Sequence, residues 1–178
     1  MGANLLKKSA ILSEPVFAFL RRDFEKGGEY TVAAFVDEYE RQLDERGRII
    51  LPSKIRGLTG DTVYITQAPF DKCLHLYTEE EWELMAEKIN KLPTATDRNA
   101  AAFVRMFFGK ATSVQVDKQG RVPITARLLE YAGLSKEVVL VGANTRLEIW
   151  DSETWKNYQS ELADDIMMDG ILKYGLNI

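Results

Sequence analysis

One short motif occurs twice in this sequence, and that repetition constrains the fold more than any other feature. The motif Asp-x-x-Gly-Arg begins at Asp44, as DERGRIILP, and again at Asp117, as DKQGRVPIT. Each copy runs directly into apolar residues, several of them β-branched. A motif that recurs within one chain usually indicates two copies of one supersecondary unit. We therefore expect a duplicated fold whose two copies hold out the same kind of loop.

The offset between the copies is the same at both ends of the unit. Gly47 and Gly120 stand 73 positions apart, and so do Trp82 and Trp155. Between these ends, copy two has a longer segment before its third strand and a shorter loop after it. Opposite length changes in loops, with the ends in register, are typical of two copies of one fold.

Alternating and turn-forming residues predict the same order of elements in each copy. In copy one, strands are predicted at 39–43, 48–51, 62–66 and 73–77, with a short helix at 53–58. In copy two, strands are predicted at 112–116, 121–124, 138–141 and 146–150, with a short helix at 125–132. Because Asp shortly before a Gly with positive φ is a strong hairpin signal, the strands that flank each motif are expected to pair with one another.

Three longer helices are also predicted. Thr78 and Glu81 form a capping-box pattern at the start of the first, which Pro93 ends. A second helix, at 96–109, is capped by Thr96 or Asp97 and connects the copies, and a third begins near Ser152. The matching tryptophans, Trp82 and Trp155, are expected to anchor the core. The phenylalanines of the connecting helix, Phe103, Phe107 and Phe108, are expected to lie in the core or at a subunit interface.

Composition indicates a globular protein without a general affinity for polyanions. The chain has 178 residues, a hydrophobic fraction of 46%, a net charge of −4 and a pI of about 5.2. Such a balance argues against a polybasic nucleic-acid binder but permits a local basic patch. A single cysteine, Cys73, excludes an internal disulfide and favours a cytoplasmic protein. No apolar run approaches the roughly 20 residues of a membrane span.

The first 34 residues are predicted to be an N-terminal extension that is not part of the native fold. No secretory signal is recognised there, because the apolar piece is short and lacks a cleavage site. The segment Lys26-Gly27-Gly28-Glu29 can be encoded by a ribosome-binding sequence, and Val32 by a GTG start codon. We therefore hypothesise that the residues before Val32 are translated upstream DNA.

The motif combines residues suited to an anion-binding loop. Gly permits a tight turn, Asp accepts hydrogen bonds from turn amides, and Arg presents a planar fork for phosphate oxygens or a guanine edge. Copy one places five cations against two acids here, a local charge of +3: Arg41, Arg46, Arg48, Lys54 and Arg56 against Asp44 and Glu45. Copy two is similar: Lys118, Arg121 and Arg127 against Asp117 and Glu130. The loop-shaping residues are predicted to be Asp44, Gly47, Asp117 and Gly120.

A catalytic function is not predicted. His75 is the single histidine and lies within an alternating strand, so no histidine pair is available for a metal. Cys73 is expected to be a small packed side chain, and the acids at 79–81 are typical of a first helical turn. No phosphate-binding loop of the GxxxxGK[ST] type occurs. We therefore predict neither a metal, a cofactor nor a small-molecule ligand.

Several segments in order resemble the MraZ family of bacterial transcriptional regulators, which is built from two SpoVT-AbrB-type units. They are EYERQLDERGRIILPSKIR, CLHLYTEEEWELMAEKINKLP, DRNAAAFVRMFFGKATSVQVDKQGR and LLEYAGLSKEVVLVGANTRLEIW. The resemblance covers Phe35 to about Tyr158. Because the family ordinarily begins a few residues before Glu38, it also supports treating the N-terminal stretch as extraneous.

The resemblance implies an α+β fold: a duplicated swapped-hairpin, or double-split, β-barrel of AbrB type, with flanking helices. It further implies a homo-oligomeric ring that binds direct repeats in double-stranded promoter DNA. Such a protein regulates, usually as a repressor, the operon for cell division and cell-wall synthesis. The DNA-contacting arginines of the family fall on Arg48 and Arg121, with further contacts expected from neighbouring cations: Arg46, Lys54, Arg56 and Lys118. Copy two departs from the family pattern, with Pro123 early and Thr125 where a proline is common, which bears on the shape of its loop.

The predicted organisation has five parts. They are an extension at 1–34, a first SpoVT-AbrB unit at 38–80, a helical connection at 81–108, a second unit at 109–152, and a C-terminal helix and tail at 153–178. The predicted location is the cytoplasm, in association with the nucleoid. Two alternatives to a DNA-binding regulator stay open, an oligomeric protein-interaction scaffold and an antitoxin-like module of the same fold.

Overall fold

The computed structural model describes residues 35–161, 170 and 172–175. The predicted extension at 1–34, including the hypothesis about Val32, lies outside the described residues. Between residues 35 and 161 the strands are β1 Glu38–Gln42, β2 Arg48–Ile50, β3 Thr62–Gln67, β4 Leu74–Thr78, β5 Thr112–Gln115, β6 Arg121–Pro123, β7 Glu137–Gly142 and β8 Leu147–Asp151. The helices are α1 Ser53–Thr59, α2 Glu79–Ile89, α3 Arg98–Lys110, α4 Ala126–Ala132 and α5 Ser152–Glu161. Among the described residues, no helix has the length and apolar character needed to cross a membrane.

The sheets are antiparallel and combine strands of both copies. One sheet has the order β1-β7-β8-β4-β3-β5, and β2 and β6 form a separate pair. Within a copy, β3 pairs with β4 and β7 with β8. However, β1 pairs with β7 and β5 pairs with β3, so the first strand of each copy joins the sheet of the other. The fold is therefore mixed α+β, and neither copy has a complete sheet of its own.

The prediction that the strands flanking each motif pair with one another is wrong. β1 lies in the large sheet, whereas β2 pairs with β6. The turn itself forms as expected, because the N–H of Asp44 donates to the Arg48 carbonyl oxygen at 2.9 Å. Pairing β2 with β6 places Ile49 opposite Val122, and both side chains are fully buried. Burial of apolar surface between the copies, rather than turn chemistry, decides which strand β2 pairs with.

The strand registers are those of a pseudo-twofold axis that relates the two copies. Ile49 stands opposite Val122 in the β2–β6 pair, and His75 stands opposite Glu148 in the β4–β8 pair. Both pairs consist of residues 73 positions apart, which is the offset of the repeat. Equivalent residues that face each other lie on the axis of a twofold arrangement. The axis therefore passes through these two residue pairs.

The main core lies between the two sheets and the short helices. It contains inward side chains of the large sheet, which are Val63, Ile65, Leu74, Leu76, Val138, Leu140, Leu147 and Ile149. It also contains Ile49 and Val122 of the β2–β6 pair, Leu51 and Ile124 directly after these strands, and Ile55, Leu128 and Ala132 of α1 and α4. Burial of this apolar surface is the largest favourable contribution to folding. The core thus holds the β2–β6 pair, and the loops that precede its strands, firmly against the large sheet.

The longer helices cover the outer face of the large sheet and begin where the sequence predicted. Thr78 accepts a hydrogen bond from the N–H of Glu81 at 3.2 Å, and Asp97 caps α3 by accepting from the N–H of Asn99 at 2.7 Å. Trp82 on α2 stacks on Tyr64 with ring centroids 4.9 Å apart. The matching tryptophan of α5, Trp155, packs against Trp150. On α3, Phe107 and Phe108 contact Trp82, whereas Phe103 is exposed to solvent.

Candidate nucleic-acid interface

The first loop is organised by one aspartate. The Oδ1 atom of Asp44 accepts hydrogen bonds from the backbone N–H groups of Arg46 and Arg48, both at 2.9 Å. Its Oδ2 atom accepts from the Nε of Arg48 at 2.7 Å. Gly47 has a φ of 67°, a left-handed conformation that costs an L-residue about 1–2 kcal/mol. The sequence pattern Asp-x-x-Gly-Arg is thus explained by a carboxylate that joins three N–H groups around a left-handed glycine.

The second loop has the same bonds. Oδ1 of Asp117 accepts from the backbone N–H groups of Gln119 and Arg121, both at 2.9 Å, and Oδ2 accepts from the Nε of Arg121 at 2.6 Å. Gly120 has a φ of 77°. The early Pro123 therefore leaves the loop geometry unchanged, because that residue lies beyond the bonds that close the loop.

The two loops flank the β2–β6 pair, and each is fastened to the other copy. The carbonyl oxygen of Gly47 accepts from the N–H of Ile124, and that of Gly120 accepts from the N–H of Leu51, both at 2.9 Å. A side chain on either glycine would collide with a residue of the opposite short helix: Leu129 against Gly47, and Arg56 against Gly120. Because β2 and β6 are antiparallel, the strand pair carries one motif at each of its two ends.

The loop bonds hold both carboxyl groups in their charged form. The backbone N–H of Arg48 is the largest cause of a lowered pKa of Asp44; burial opposes it, and the Arg48 side chain and the N–H of Arg46 lower the pKa further. The pKa of Asp117 is lowered in the same way, first by the backbone N–H of Arg121. Each loop consequently keeps an ionised aspartate beside its arginine at neutral pH.

Both motif arginines bend back to their aspartates instead of extending into solvent. The side chains of Arg48 and Arg121 retain 27% and 33% of their exposure. In each, the aspartate occupies only part of the guanidinium, although Gln119 also accepts from Nη2 of Arg121 at 3.0 Å. A guanidinium has five N–H groups, so those outside the ion pair can donate to a phosphate oxygen or to a guanine edge. The ion pair then fixes the orientation of the fork before any ligand arrives.

The other predicted cations differ in their surroundings. Arg46 and Lys118 are exposed within the loops, and neither forms an ion pair among the described residues. Lys54 is exposed on α1 and lies 2.7 Å from Asp37, whereas Arg56 is exposed beside Gly120 of the other loop. All six predicted DNA-contacting residues therefore belong to the two loops and to the helix that follows the first loop.

Arg127, part of the basic stretch of copy two, has a different role. Its guanidinium donates to the carbonyl oxygens of Gly109 and Lys110, at 3.2 and 3.1 Å. Those carbonyls end α3, where a cation is favourable because helix carbonyls are unsatisfied there. This arginine therefore contributes to the position of α3.

A second polar cluster was missed in the sequence. Cys73 immediately precedes β4, His75 lies on β4, and Glu148 lies on β8 directly opposite His75. Arg146 donates to Glu148 at 2.7 Å, and Nε1 of Trp150 donates at 3.1 Å. Burial favours a raised pKa of Glu148, but the hydrogen bonds from His75, Arg146 and Trp150 outweigh it and lower the pKa to about 2. The signal that could have found this cluster is the repeat offset, since 73 positions separate His75 from Glu148.

Cys73 itself is the packed side chain that the sequence predicted. It is fully buried beside Ala68 and Trp150. Burial is the largest cause of the raised pKa of its thiol, and Glu148 adds to the effect. A thiol in such surroundings stays protonated at neutral pH and is a poor nucleophile.

Comparison with known proteins identifies the family. Residues 34–105 and 107–169 match a family model described as "MraZ protein, putative antitoxin-like". The chain is 45% identical over 130 residues to the transcriptional regulator MraZ of Clostridium acetobutylicum, covering 73% of this chain and 90% of that protein. The proteins of the same name from Clostridium tetani and Acetivibrio thermocellus are 42% and 44% identical, over 73% and 71% of this chain and 90% and 87% of theirs. The resemblance recognised in the sequence is thus confirmed, and the chain belongs to the MraZ family.

Proposed function

We propose that this protein is a transcriptional regulator that binds DNA in a sequence-specific manner through its two Asp-x-x-Gly-Arg loops. One observation carries the proposal. The pairing of β2 with β6 sets two loops with the same hydrogen bonds at the two ends of one short strand pair, and each holds an arginine against an aspartate. Relatives named as transcriptional regulators support the general function. Membership of this family also confirms the prediction that the protein is not an enzyme.

The residues of the loops divide the work of recognition. Exposed Arg46 and Lys118 neutralise phosphates and supply affinity without sequence preference. Arg48 and Arg121, held at one edge by aspartate, read guanine in the major groove. Positive charge around the β2–β6 pair of a chain with a net charge of −4 also orients the molecule as it approaches DNA.

The proposed assembly is a ring of identical subunits that meets direct repeats in a promoter. The double-split barrel inferred from the family provides each subunit with one pair of loops. An exposed apolar strip on α3, formed by Phe103 and Met106, supports contact with a neighbouring subunit. Successive subunits then engage successive repeats, which multiplies weak single contacts by avidity.

The proposed regulatory role is repression of the operon for cell division and cell-wall synthesis. Occupied repeats beside a promoter obstruct RNA polymerase. A protein with this role works in the cytoplasm, at the nucleoid. The proposed DNA sites are direct repeats just upstream of the gene for this protein.

The decisive experiment measures binding of the purified full chain to that upstream DNA in an electrophoretic shift assay. Arg48→Ala is expected to abolish operator binding at physiological salt, and Arg121→Ala to weaken it. The loss of a bidentate guanine contact amounts to about 1–3 kcal/mol per site, and a ring repeats it. Wild-type affinity is expected to fall as salt rises, in proportion to the phosphates neutralised.

Arg98→Ala is the matched control, because it removes the same charge from an exposed position on α3. It should leave operator affinity unchanged within about twofold, since a surface charge away from the loops makes no base contact. Size-exclusion chromatography separates the alternatives. Unaltered affinity in Arg48→Ala would overturn the site assignment, whereas loss of the oligomer in that variant would favour a protein-interaction scaffold.

A further inference from the structure

The polar cluster at the pseudo-twofold axis has the donor arrangement of a metal site. Cys73 immediately precedes β4 and His75 follows Cys73 by two positions, so both side chains lie on one face, and Glu148 on β8 stands opposite His75. The Sγ, imidazole nitrogen and carboxylate oxygen atoms lie within 4.8 Å of one another. Cys73 is fully buried, His75 is 8% exposed, and the side chain of Glu148 is 14% exposed. The donors are thus close together and shielded, with some access for water.

The histidine is oriented as a ligand would be. Its Nδ1 lies 3.1 Å from the hydroxyl oxygen of Tyr77, and its Nε2 lies 3.4 Å from Oε1 of Glu148. In the metal-free protein Nε2–H donates to Glu148 and Nδ1 accepts from Tyr77; a metal on Nε2 leaves the proton on Nδ1, which then donates to Tyr77. A ligand histidine usually donates its other N–H to a fixed acceptor, which sets its tautomer and orientation. A cation bound by Nε2 and the carboxylate would take the place of the hydrogen bond between them.

Other residues around the cluster support a bound ion. Trp150 and Arg146 hold Glu148 in place through hydrogen bonds. Thr66 lies directly opposite His75 on β3, so its side chain is on the same face of the sheet. Its hydroxyl is buried and has no hydrogen-bond partner among the described residues. A buried hydroxyl is costly without a partner, and a metal-bound water or a thiolate would supply one.

We propose that Cys73, His75 and Glu148 bind one zinc ion, with water as its fourth ligand. Zinc is the ion because thiolate, imidazole and carboxylate are the three donor types that it takes in tetrahedral sites. Calcium and magnesium are disfavoured, since both take oxygen ligands. Binding of the ion releases the Cys73 proton to solvent, and the resulting thiolate and the carboxylate balance the charge of the ion. Arg146 shares the carboxylate and makes the site weaker than one without a guanidinium. The ion joins the first copy to the second across the axis.

The first test uses cobalt, which replaces zinc and absorbs light when a thiolate binds it. Reduced, metal-free full-length protein is titrated with Co²⁺ and then with Zn²⁺. The expected result is a thiolate-to-cobalt charge-transfer band that saturates at one equivalent and disappears as zinc displaces cobalt. Cys73→Ser removes the chain's single thiol and should remove the band. Absence of the band in the wild-type protein would overturn the proposal, whatever the variants do.

The second test measures zinc affinity by competition with a chromophoric chelator. His75→Gln and Glu148→Gln should each weaken zinc binding by tenfold or more, and Tyr77→Phe by about 10-fold, because it removes the partner of Nδ1. Glu130→Gln, an exposed acid on α4, is the control and should bind as the wild type does. Circular dichroism establishes that each variant is folded. Equal zinc affinity in wild type and His75→Gln would contradict the assignment, and operator binding in the presence of chelator reports separately on the DNA-binding proposal.

Discussion

The two places where the pseudo-twofold axis crosses a strand pair differ in their chemistry. At the β2–β6 pair the axial residues are Ile49 and Val122, which are both apolar and fully buried, and the loops before them have the same hydrogen bonds. At the β4–β8 pair the axial residues are His75 and Glu148, an acid opposite a base. The β2–β6 pair and its loops have equivalent residues and bonds in both copies, whereas the outer face of the large sheet places two unlike residues opposite each other.

This difference shows which pairings of the halves are favourable. Two first halves brought together in the same way would place one imidazole against another, and two second halves would place two shielded carboxylates together. Like charges in such surroundings oppose one another strongly. Only unlike halves put His75 beside Glu148. The apolar pair of β2 and β6 does not distinguish like from unlike halves, because isoleucine and valine pack in either arrangement.

The largest expected effect comes from making the charged axial pair alike. His75→Glu places a second carboxylate against Glu148 and should lower the free energy of unfolding by about 3 kcal/mol, since an uncompensated shielded charge is strongly destabilising. Chemical denaturation with chelator present measures the change without a contribution from metal. Exchange of the two residues, His75→Glu with Glu148→His, should recover part of the loss.

Ile49→Val is the matched control at the apolar axial pair, because it also makes the two residues alike. It should cost only about 0.5–1.5 kcal/mol, the usual effect of removing one buried methylene. If His75→Glu and Ile49→Val lower the free energy of unfolding by the same amount, the contrast between the two axial pairs is not electrostatic.

The next largest effect concerns the loops, where equivalent glycine substitutions should lower the free energy of unfolding by similar amounts. Gly47→Ala and Gly120→Ala each force an L-residue into a left-handed conformation, at a cost of about 1–2 kcal/mol. The added methyl group must also displace Leu129 in one loop and Arg56 in the other. Thermal and denaturant unfolding of the two variants checks that the losses are similar. A large loss in one loop and none in the other would show that the loops are not equivalent.

Gly57→Ala provides the control for these glycine variants. Gly57 lies within α1, and nothing approaches the position of an added side chain. Alanine there should raise the free energy of unfolding by about 0.5–1 kcal/mol, because glycine weakens a helix. The three alanine variants thus separate backbone conformation from a general effect of added bulk.

The smallest expected effect is a dependence of stability on pH at the loops. The folded pKa values of Asp44 and Asp117 lie below the usual 3.8. Their contribution to stability is therefore complete above pH 3.8 and is lost as the pH falls through the lower folded values. The double variant Asp44→Asn with Asp117→Asn should be less stable than the wild type at neutral pH and should approach it in acid. Asp61→Asn, an exposed acid outside the loops, is the control in the same denaturation series and should follow the wild-type pH profile.

The local structure and the candidate loops could be predicted from the sequence, because their causes are local. Thr78 and Asp97 reveal two helix starts, since a short polar side chain there binds the first N–H groups. The two motifs reveal the loops, since a carboxylate and a left-handed glycine close them. The repeat offset correctly matched Trp82 with Trp155.

The strand partners and the polar cluster could not be predicted, because their causes lie far apart in the chain. Turn chemistry indicated that β2 pairs with β1. However, β2 pairs with β6, because this pairing buries Ile49 against Val122. His75 has an acidic partner only because β4 and β8 are neighbours. The bend of Arg48 toward Asp44 was also missed, although the two residues are only four positions apart, because the sequence favoured a projecting side chain.

The exchange of first strands between the copies has a consequence for how the protein is made. Gln42 of β1 pairs with Glu137, which is translated 95 residues later. A nascent chain that has emerged only through the first copy therefore has an unsatisfied strand edge, of the kind that invites aggregation. The sheet can be completed only after β7 has left the ribosome. For the same reason, a protease that cut between α2 and α3 would leave two fragments held together by strands that pair across the cut.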